Sequence, residues 1–191
     1  MLTRFLVVGL GNPGAAYTST PHNIGRDFLV FYSAGPNNNK WRFSKACGAD
    51  LASQAINNTL ITYALPRGFM NESGKPIEKT LKYLRLPLAR CVIIHDDSDL
   101  PWGKIKIATA SRAAGHHGIE SIFAQLKTKH LNRIRVGVRQ PSEFSQAGTF
   151  ILKKFSAEQR SELKQIIYPK IKRALLNFFN QSTTLKPGNK K

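Results

Sequence analysis

The sequence of 191 residues is short of three things: long apolar runs, cysteine and acidic residues. No run approaches the ~20 uncharged apolar residues that a membrane-spanning helix needs, so we expect a soluble protein without a membrane span. Two cysteines, Cys47 and Cys91, are too few for a disulfide framework and favour a reducing compartment. The start, MLTRFLVVGL, leaves no room for a signal peptide before the first predicted strand.

The scarcity of acidic residues gives the chain a large positive charge. Asp and Glu number 11 against 29 Lys and Arg, so the net charge is +18, and it is spread along the chain. Such a field favours a polyanionic partner, with nucleic acid ahead of a membrane surface. A basic surface without a partner is the alternative.

Short apolar, β-branched runs alternate with helical patterns. Strands are predicted at 4–10, 60–65, 91–96, 104–108 and 133–138, helices at 22–34, 73–86 and 117–128, and a loop at 34–41. In the last helix Ser156 and Gln159 form a capping box ahead of an apolar stripe that includes Ile166. The alternation predicts one α/β domain, residues 1–181, with a largely parallel sheet, an amphipathic C-terminal helix and a polar basic tail at 182–191.

The segment GLGNPG follows the first strand and fits the dinucleotide-binding pattern G-x-G-x-x-G. Pro13 lies inside the motif, the next helix begins only near Thr20, and no acidic residue ends a second strand about twenty positions further on. These departures argue against a nucleotide site. The segment is then a tight turn at the carboxyl end of a strand, where open α/β sheets bind ligands, and Asn12 offers an amide there.

His22 lies at the predicted first turn of a helix. Thr20 is a good N-cap and Pro21 a good first helical residue. The positive end of the helix dipole disfavours imidazolium, so His22 is expected to stay neutral and able to act as a base. Asp96, at the end of the buried strand CVIIHD, is the candidate to orient it, as in a catalytic triad. A solvated histidine and an acidic turn are the alternatives.

The segment RAAGHHGIE adds His116 and His117 just before a helix. With His95, Asp96 and Asp97 they could form a metal site, because imidazole and carboxylate suit zinc or similar ions. No i,i+4 or C-x-x-C spacing supports such a site, so neither a metal nor another cofactor is predicted. A serine nucleophile lacks its G-x-S-x-G elbow, which leaves water activated by a histidine as the predicted nucleophile.

Six segments together resemble the bacterial-type peptidyl-tRNA hydrolase family. They occur in the family's order and spacing over about residues 5–140. The segments are VVGLGNPG, Y-x-x-T-x-H-N-x-G, FMN-x-SG, HD-x-x-DLP-x-G, GHHG and RIRVGV. The resemblance implies a single α/β domain, phosphorylase/hydrolase-like, with a mixed, mostly parallel twisted sheet flanked by helices. It also implies an enzyme that hydrolyses the ester between a peptide and the 3′ end of tRNA, without a metal, for recycling in translation. A non-catalytic, splicing-factor-like RNA-binding relative is the alternative.

The resemblance assigns roles residue by residue. His22 would be the base that activates water, and Asp96 would orient it. The substrate-binding residues would be Asn12, Tyr17, Met70, Asn71, His116 and His117. The tRNA phosphate-binding residues would be Lys104, Lys106, Arg112 and Arg135.

The chain departs from the family pattern at several positions. Pro21 stands where the family usually has arginine, and Ala108 occupies a lysine position for which Lys104, on the same strand face, is expected to compensate. The family's glycine-rich run before GH is ATASRAA here, which stiffens the loop and brings Arg112 to the cleft rim. His117 replaces an asparagine that helps to place the water. An imidazole cannot present an amide's donor and acceptor together, so weaker or unusually pH-sensitive activity is expected.

The asparagine-rich loops and the basic excess favour a fungal or organellar member of the family. A mitochondrial location is therefore expected, with the cytoplasm as the alternative. A monomer suits the family.

Overall fold

The computed structural model describes residues 2–33, 40–140 and 150–184. The strands are β1 (Thr3–Gly9), β2 (Arg42–Ser44), β3 (Ala49–Ile56), β4 (Thr59–Pro66), β5 (Cys91–Pro101), β6 (Ile105–Ala110) and β7 (His130–Arg139). The helices are α1 (Ile24–Ser33), α2 (Gly74–Leu84), α3 (His117–Leu126), α4 (Ala157–Glu162) and α5 (Tyr168–Thr184). Among the described helices, none is both long and apolar enough to cross a bilayer.

The seven strands form one mixed sheet in the order β2-β3-β4-β1-β5-β7-β6. The N-terminal strand β1 is central and pairs in parallel with β4 and β5, and β5 pairs in parallel with β7. At the two edges, β2, β3 and β6 run antiparallel to their neighbours. The predicted α/β fold with a mixed sheet is confirmed, and its parallel strands occupy the four positions β4-β1-β5-β7.

Two apolar layers cover the two faces of the sheet. In β1, Phe5 and Val7 pack with α1 and the C-terminal helices, whereas Leu6 and Val8 pack with α2 and α3. All four side chains are fully buried. Each such side chain stabilises the fold by roughly 1.5–3 kcal/mol relative to exposure, which holds the helices on both sides of the sheet.

The edge strands β2 and β3 were not predicted. The segment ADLASQAI of β3 carries alanine and polar side chains, a composition that does not indicate a strand. It is a strand because β4 supplies a complete antiparallel ladder, from Ala49 opposite Pro66 to Ile56 opposite Thr59. Strand β5 also continues beyond its predicted end, and its pairing with β7 shifts between Asp97 and Pro101.

The C-terminal helix begins as predicted and then changes its hydrogen-bonding pattern. Ser156 Oγ accepts the N–H of Gln159, whose side-chain oxygen accepts the N–H of Ser156, so the predicted capping box is present. A π-helical segment (Leu163–Ile167) then joins α4 to α5. The wider turn rotates the apolar stripe, and Ile166, predicted to face the core, is 47% exposed.

The predicted loop and tail fall largely outside the described residues. Positions 34–39 of the loop and 185–191 of the tail are not among them, and residues 182–184 belong to α5. The division of the chain at residue 181 stays a prediction.

Backbone contact between β1, β5 and the start of α1 positions the site. A Cβ at Gly25 would overlap the carbonyl oxygen of Ile94, and a Cβ at Gly9 would overlap that of Gly25. Only glycine permits this approach. Because His22 lies three residues before Gly25 and Asp96 two residues after Ile94, the contact brings the two side chains to the same edge of the sheet.

Candidate active site

His22 is carried by a short 3-10 turn, Pro21–Asn23, that continues directly into α1. Pro21 is the first residue of the turn, as predicted. Thr20 occupies the N-cap position, but its hydroxyl donates to the carbonyl of Tyr17 at 2.7 Å and makes no capping hydrogen bond. Thr20 is therefore the N-cap residue, as predicted, but without a side-chain capping bond, and the predicted place of His22 at a helix start is confirmed.

Asp96 accepts hydrogen bonds from two imidazoles. The Nδ1 atom of His22 lies 3.0 and 3.1 Å from the two carboxylate oxygens, and Nε2 of His116 lies 2.9 Å from Oδ1. All three residues are buried. Three side chains from distant parts of the chain therefore form one hydrogen-bonded cluster.

The hydrogen bonds of each ring fix its tautomer. His116 caps α3, and its Nδ1 accepts the N–H groups of Gly118 at 3.1 Å and Ile119 at 3.4 Å. Its Nε2 must therefore carry the hydrogen donated to Asp96. Ionised Asp96 can only accept hydrogen bonds, so Nδ1 of His22 carries the hydrogen of its bond to Asp96. In neutral His22 the lone pair is then on Nε2, which can accept a proton.

The carboxylate and the imidazole shift each other's pKa. Burial raises the pKa of Asp96, but the hydrogen bonds and charges of His116 and His22 outweigh it and hold that pKa well below its ordinary value. Burial lowers the pKa of His22, but contact with Asp96 outweighs it, and the pKa of His22 is raised. The helix-dipole argument predicts the opposite direction for His22. It is wrong because a carboxylate at 3.0 Å acts more strongly than the partial charge of a helix end.

His95 forms the far side of the cluster. Its ring packs edge-on against His116 with 4.7 Å between centroids, and its Nδ1 donates to the Asp96 carbonyl at 2.6 Å. Burial, His116 and Arg133 lower the pKa of His95 well below its ordinary value, although Asp96 opposes them. His95 is therefore neutral, and its Nδ1 bonds the backbone of Asp96.

The same cluster has the composition of a metal site. The ligand atoms of His22, Asp96 and His116 lie within 4.8 Å of one another, whereas His95, Asp97 and His117 are not part of that group. Hydrogen bonds already account for this closeness, and a cation would have to displace both N–H donors from Asp96. The donor set therefore fits proton transfer better than metal binding. The absence of a metal stays a prediction.

A cavity of about 200 Å³ opens over the cluster. It is lined by His22, Asp96, Asp97, Ser98, His116, His117, Ile151 and the segment 113–115. His117 lies at this cavity with a side chain 75% exposed and its Nδ1 3.2 Å from Glu120. Ser98 and Ile151 were not predicted, because a serine in an acidic turn and an isoleucine in a short apolar run carry no pattern that marks a site.

Asn12 is held through both its backbone and its side chain. Its N–H donates to Oδ1 of Asn23 at 2.8 Å, and its carbonyl accepts from Nδ2 of Asn23 at 2.9 Å. Its own amide oxygen accepts the N–H of Met70 at 2.8 Å. This arrangement fixes the amide orientation and leaves the NH2 group of Asn12, which contacts no acceptor in the described part of the chain, as a donor for a ligand.

Four predicted substrate-binding residues, Asn12 among them, do not line the cavity over His22. Met70 is 4% exposed and packs in the layer of α2 and α3, while its backbone N–H holds Asn12. Asn71 is exposed and lines a separate cavity of about 420 Å³. Tyr17 is half-buried, with its ring edge-on to Phe69 at 6.4 Å.

The predicted phosphate-binding residues lie at the β6-β7 edge of the sheet. Lys106 and Arg135 are directly opposite in the ladder, Lys104 precedes β6, and Arg112 is on the loop that follows it. The two lysines and Arg112 are exposed. The side chain of Arg135 is only 11% exposed, and its Nε donates to Asp97.

Comparison with known proteins decides the family. A family model described as peptidyl-tRNA hydrolase matches residues 6–187. The chain belongs to the peptidyl-tRNA hydrolase family. A peptidyl-tRNA hydrolase of Mycolicibacterium smegmatis is 35% identical over 168 residues, 87% of each chain. One of Nocardia farcinica is 36% identical over 163 residues, 85% of this chain and 83% of the relative.

Solved structures of peptidyl-tRNA hydrolases have the same fold. A complex of peptidyl-tRNA hydrolase with N-propanol superposes with a TM-score of 0.76 at 25% identity and covers 96% of both chains. The Acinetobacter baumannii protein superposes with a TM-score of 0.73 at 23% identity, over 98% of this chain and 99% of its own. The family and the fold class predicted from the sequence are both confirmed.

Proposed function

We propose that this protein hydrolyses the ester bond between a peptide and the 3′ end of tRNA, with His22 as the general base. The observation that carries the proposal is the pair formed by His22 and Asp96. Nδ1 of His22 donates its hydrogen bond to Asp96, so Nε2 is the nitrogen that can accept a proton at the cavity. Family membership gives the reaction, whose products, free tRNA and free peptide, are recycled in translation.

In the proposed reaction His22 takes a proton from water while the water oxygen attacks the ester carbonyl carbon. The imidazolium that forms is stabilised by ionised Asp96. The tetrahedral intermediate then collapses, the bond from carbon to the ribose oxygen breaks, and His22 returns the proton to that oxygen. The NH2 group of Asn12 is the donor that we assign to the developing oxyanion.

The remaining roles concern substrate binding. Asn71, at the separate cavity of about 420 Å³, is proposed to bind the peptide end, and Tyr17 and His117 to border the bound ester. The basic side chains at the β6-β7 edge are proposed to bind tRNA phosphates. Such contacts do not depend on sequence, which suits an enzyme that must accept many tRNAs. The net charge of +18 supports this proposal.

A non-catalytic RNA-binding relative is not favoured, because the base and its orienting carboxylate are both present and in contact. The test is hydrolysis of an N-blocked aminoacyl-tRNA by the wild-type protein, His22→Ala and the control His130→Ala. His130 is exposed at the start of β7. We expect His22→Ala to lose about 10²–10⁴-fold in rate and the control to keep it. Binding of tRNA without hydrolysis by wild type would contradict the proposal.

We further propose a mitochondrial location and a monomeric state. Translation inside the organelle would supply the substrate, and the basic excess supports an organellar protein. Subcellular fractionation and sedimentation are the measurements. An exclusively cytosolic protein would contradict the first proposal, and a dimer the second.

A further inference from the structure

Arg133 is a buried arginine with no part in the proposed reaction. It lies on β7 and is only 1% exposed. Burial and the charge of Arg135 lower its pKa to about 10, against the opposing charge of Asp97, so the guanidinium is ionised at neutral pH. A buried charge of this kind needs polar partners.

Its partners lie on the loop that leads from β6 to His116. Nη2 of Arg133 donates to the carbonyl of Ser111 at 2.9 Å and to the carbonyl of Arg112 at 3.0 Å, and it also donates to the Ser111 hydroxyl. The guanidinium carbon lies 5.7 Å from the ring centre of Phe123 on α3. One side chain therefore connects β7, the loop and the helix that His116 caps.

The loop has a conformation that needs such support. Ala114 has φ of +53°, a left-handed conformation that an alanine rarely adopts, and Gly115 follows with φ of +73°. The loop closes through a hydrogen bond from the His116 N–H to the carbonyl of Ala113 at 3.1 Å. Residues 113–117 all line the cavity, so the shape of the loop is also the shape of one cavity wall.

A second connection runs through His95. Because Nδ1 of His95 donates to the Asp96 carbonyl, its Nε2 is an acceptor, and Nη1 of Arg133 approaches that atom at 3.4 Å. The His95 ring packs against His116. Both connections from Arg133 therefore end at His116.

We propose that Arg133 is a positioning residue, which holds the loop 111–116 and the His95 ring so that His116 stays bonded to Asp96. It touches neither the substrate nor the reacting atoms, and it acts on His22 only through Asp96. The effect on turnover rests on the proposed function, whereas the effect on the loop does not.

Hydrogen exchange of the substrate-free protein tests the structural part. The amides of Gly118 and Ile119 donate to His116 Nδ1, so their protection reports the position of that ring. In Arg133→Met we expect both amides, and those of residues 111–116, to exchange about tenfold faster, with little change in the centre of β1. The matched control is Arg4→Met, which replaces an exposed arginine on β1. Unchanged exchange at Gly118 and Ile119 would overturn the proposal.

Kinetics tests the functional part. We expect kcat to fall about tenfold in Arg133→Met with a smaller change in KM. Arg133→Lys, which keeps a buried donor, should recover part of the loss.

A fall in kcat without faster exchange would also overturn the proposal. If Arg133→Met does not fold, Ser111→Ala, which removes one acceptor from the loop, must show the same two changes on a smaller scale. The two proposals can fail separately. If the variants exchange faster but the wild type does not hydrolyse the ester, the proposed function is contradicted and the positioning role is retained.

Discussion

At the scale of single residues, Asp96 decides the chemistry of the site. Its two oxygens accept N–H groups from His22 and His116, and each ring is thereby fixed in one tautomer. Sequence reasoning could find Asp96 because strands of an α/β sheet deliver polar residues to their carboxyl ends. It could not find the role of Arg133, because an arginine in RIRVGV carries the same pattern whether it is buried or exposed.

The raised pKa of His22 predicts the pH dependence. The base acts only when neutral, so kcat/KM should fall as the pH drops through a value above the ordinary histidine pKa. In Asp96→Asn the contribution that raises the pKa of His22 is lost while burial remains, so this limb should move to lower pH. The plateau rate should fall by about 10²-fold. Rate profiles of wild type, Asp96→Asn and the exposed control Asp99→Asn measure both effects. An acid limb at the same pH in Asp96→Asn would contradict the assignment.

Replacing His117 should increase activity. His117 stands where the family has an asparagine, and its imidazole is tied to Glu120 at 3.2 Å. His117→Asn restores a side chain with both a donor and an acceptor at the cavity, so turnover should rise. Because the side chain is 75% exposed, the melting temperature should stay the same. Single-turnover hydrolysis and thermal unfolding measure the two quantities, and an equal or lower rate would reject the idea.

At the scale of elements, the contact between β1, β5 and the start of α1 brings His22 within hydrogen-bond distance of Asp96. The strands and helices of this core were predicted because their apolar periodicity is strong. Strands β2 and β3 were not predicted, because β3 forms by pairing with β4 and β2 by pairing with β3, and such pairing leaves no local pattern in the sequence. The π-helical segment (Leu163–Ile167) was missed for a similar reason, since the apolar spacing around it fits a regular helix.

Gly25→Ala tests this backbone contact. The new Cβ would overlap the carbonyl of Ile94, so α1 would have to move away from β5. We expect a loss of about 3 kcal/mol in the free energy of unfolding and a lower rate, because His22 moves with α1. The control is Gly68→Ala, whose Cβ would meet mainly the flexible side chain of Glu72. Denaturant unfolding measures the difference, and equal losses in both variants would contradict the role of Gly25.

At the scale of the whole molecule, the net charge of +18 bears on the proposed binding of tRNA. The summed electrostatic field of all the basic residues attracts a polyanion, in addition to the individual contacts with phosphates. The affinity for tRNA should therefore fall steeply with salt. Each phosphate contact removed should reduce the slope of log K against log salt by about one.

Lys106→Gln measures one such contact. The side chain is exposed and opposite Arg135 at the β6-β7 edge. We expect weaker tRNA binding with a smaller salt slope, and an unchanged slope for Lys170→Gln, an exposed lysine on α5 outside the proposed phosphate-binding set. Filter binding at several salt concentrations gives both slopes. The same slope in Lys106→Gln and wild type would exclude this contact.

The central place of β1 has a consequence for the order of synthesis. His22 and Asp96 are 74 residues apart in the chain. Strand β1 can pair with β4 only after β4 has left the ribosome, and with β5 only after β5 has done so. Strand β7, the parallel partner of β5, is made later still. A growing copy of this protein is itself a peptide esterified to tRNA, yet its own base and carboxylate meet only after half the chain has been made. The strand translated first thus gains both of its neighbours only when about half of the chain has been made.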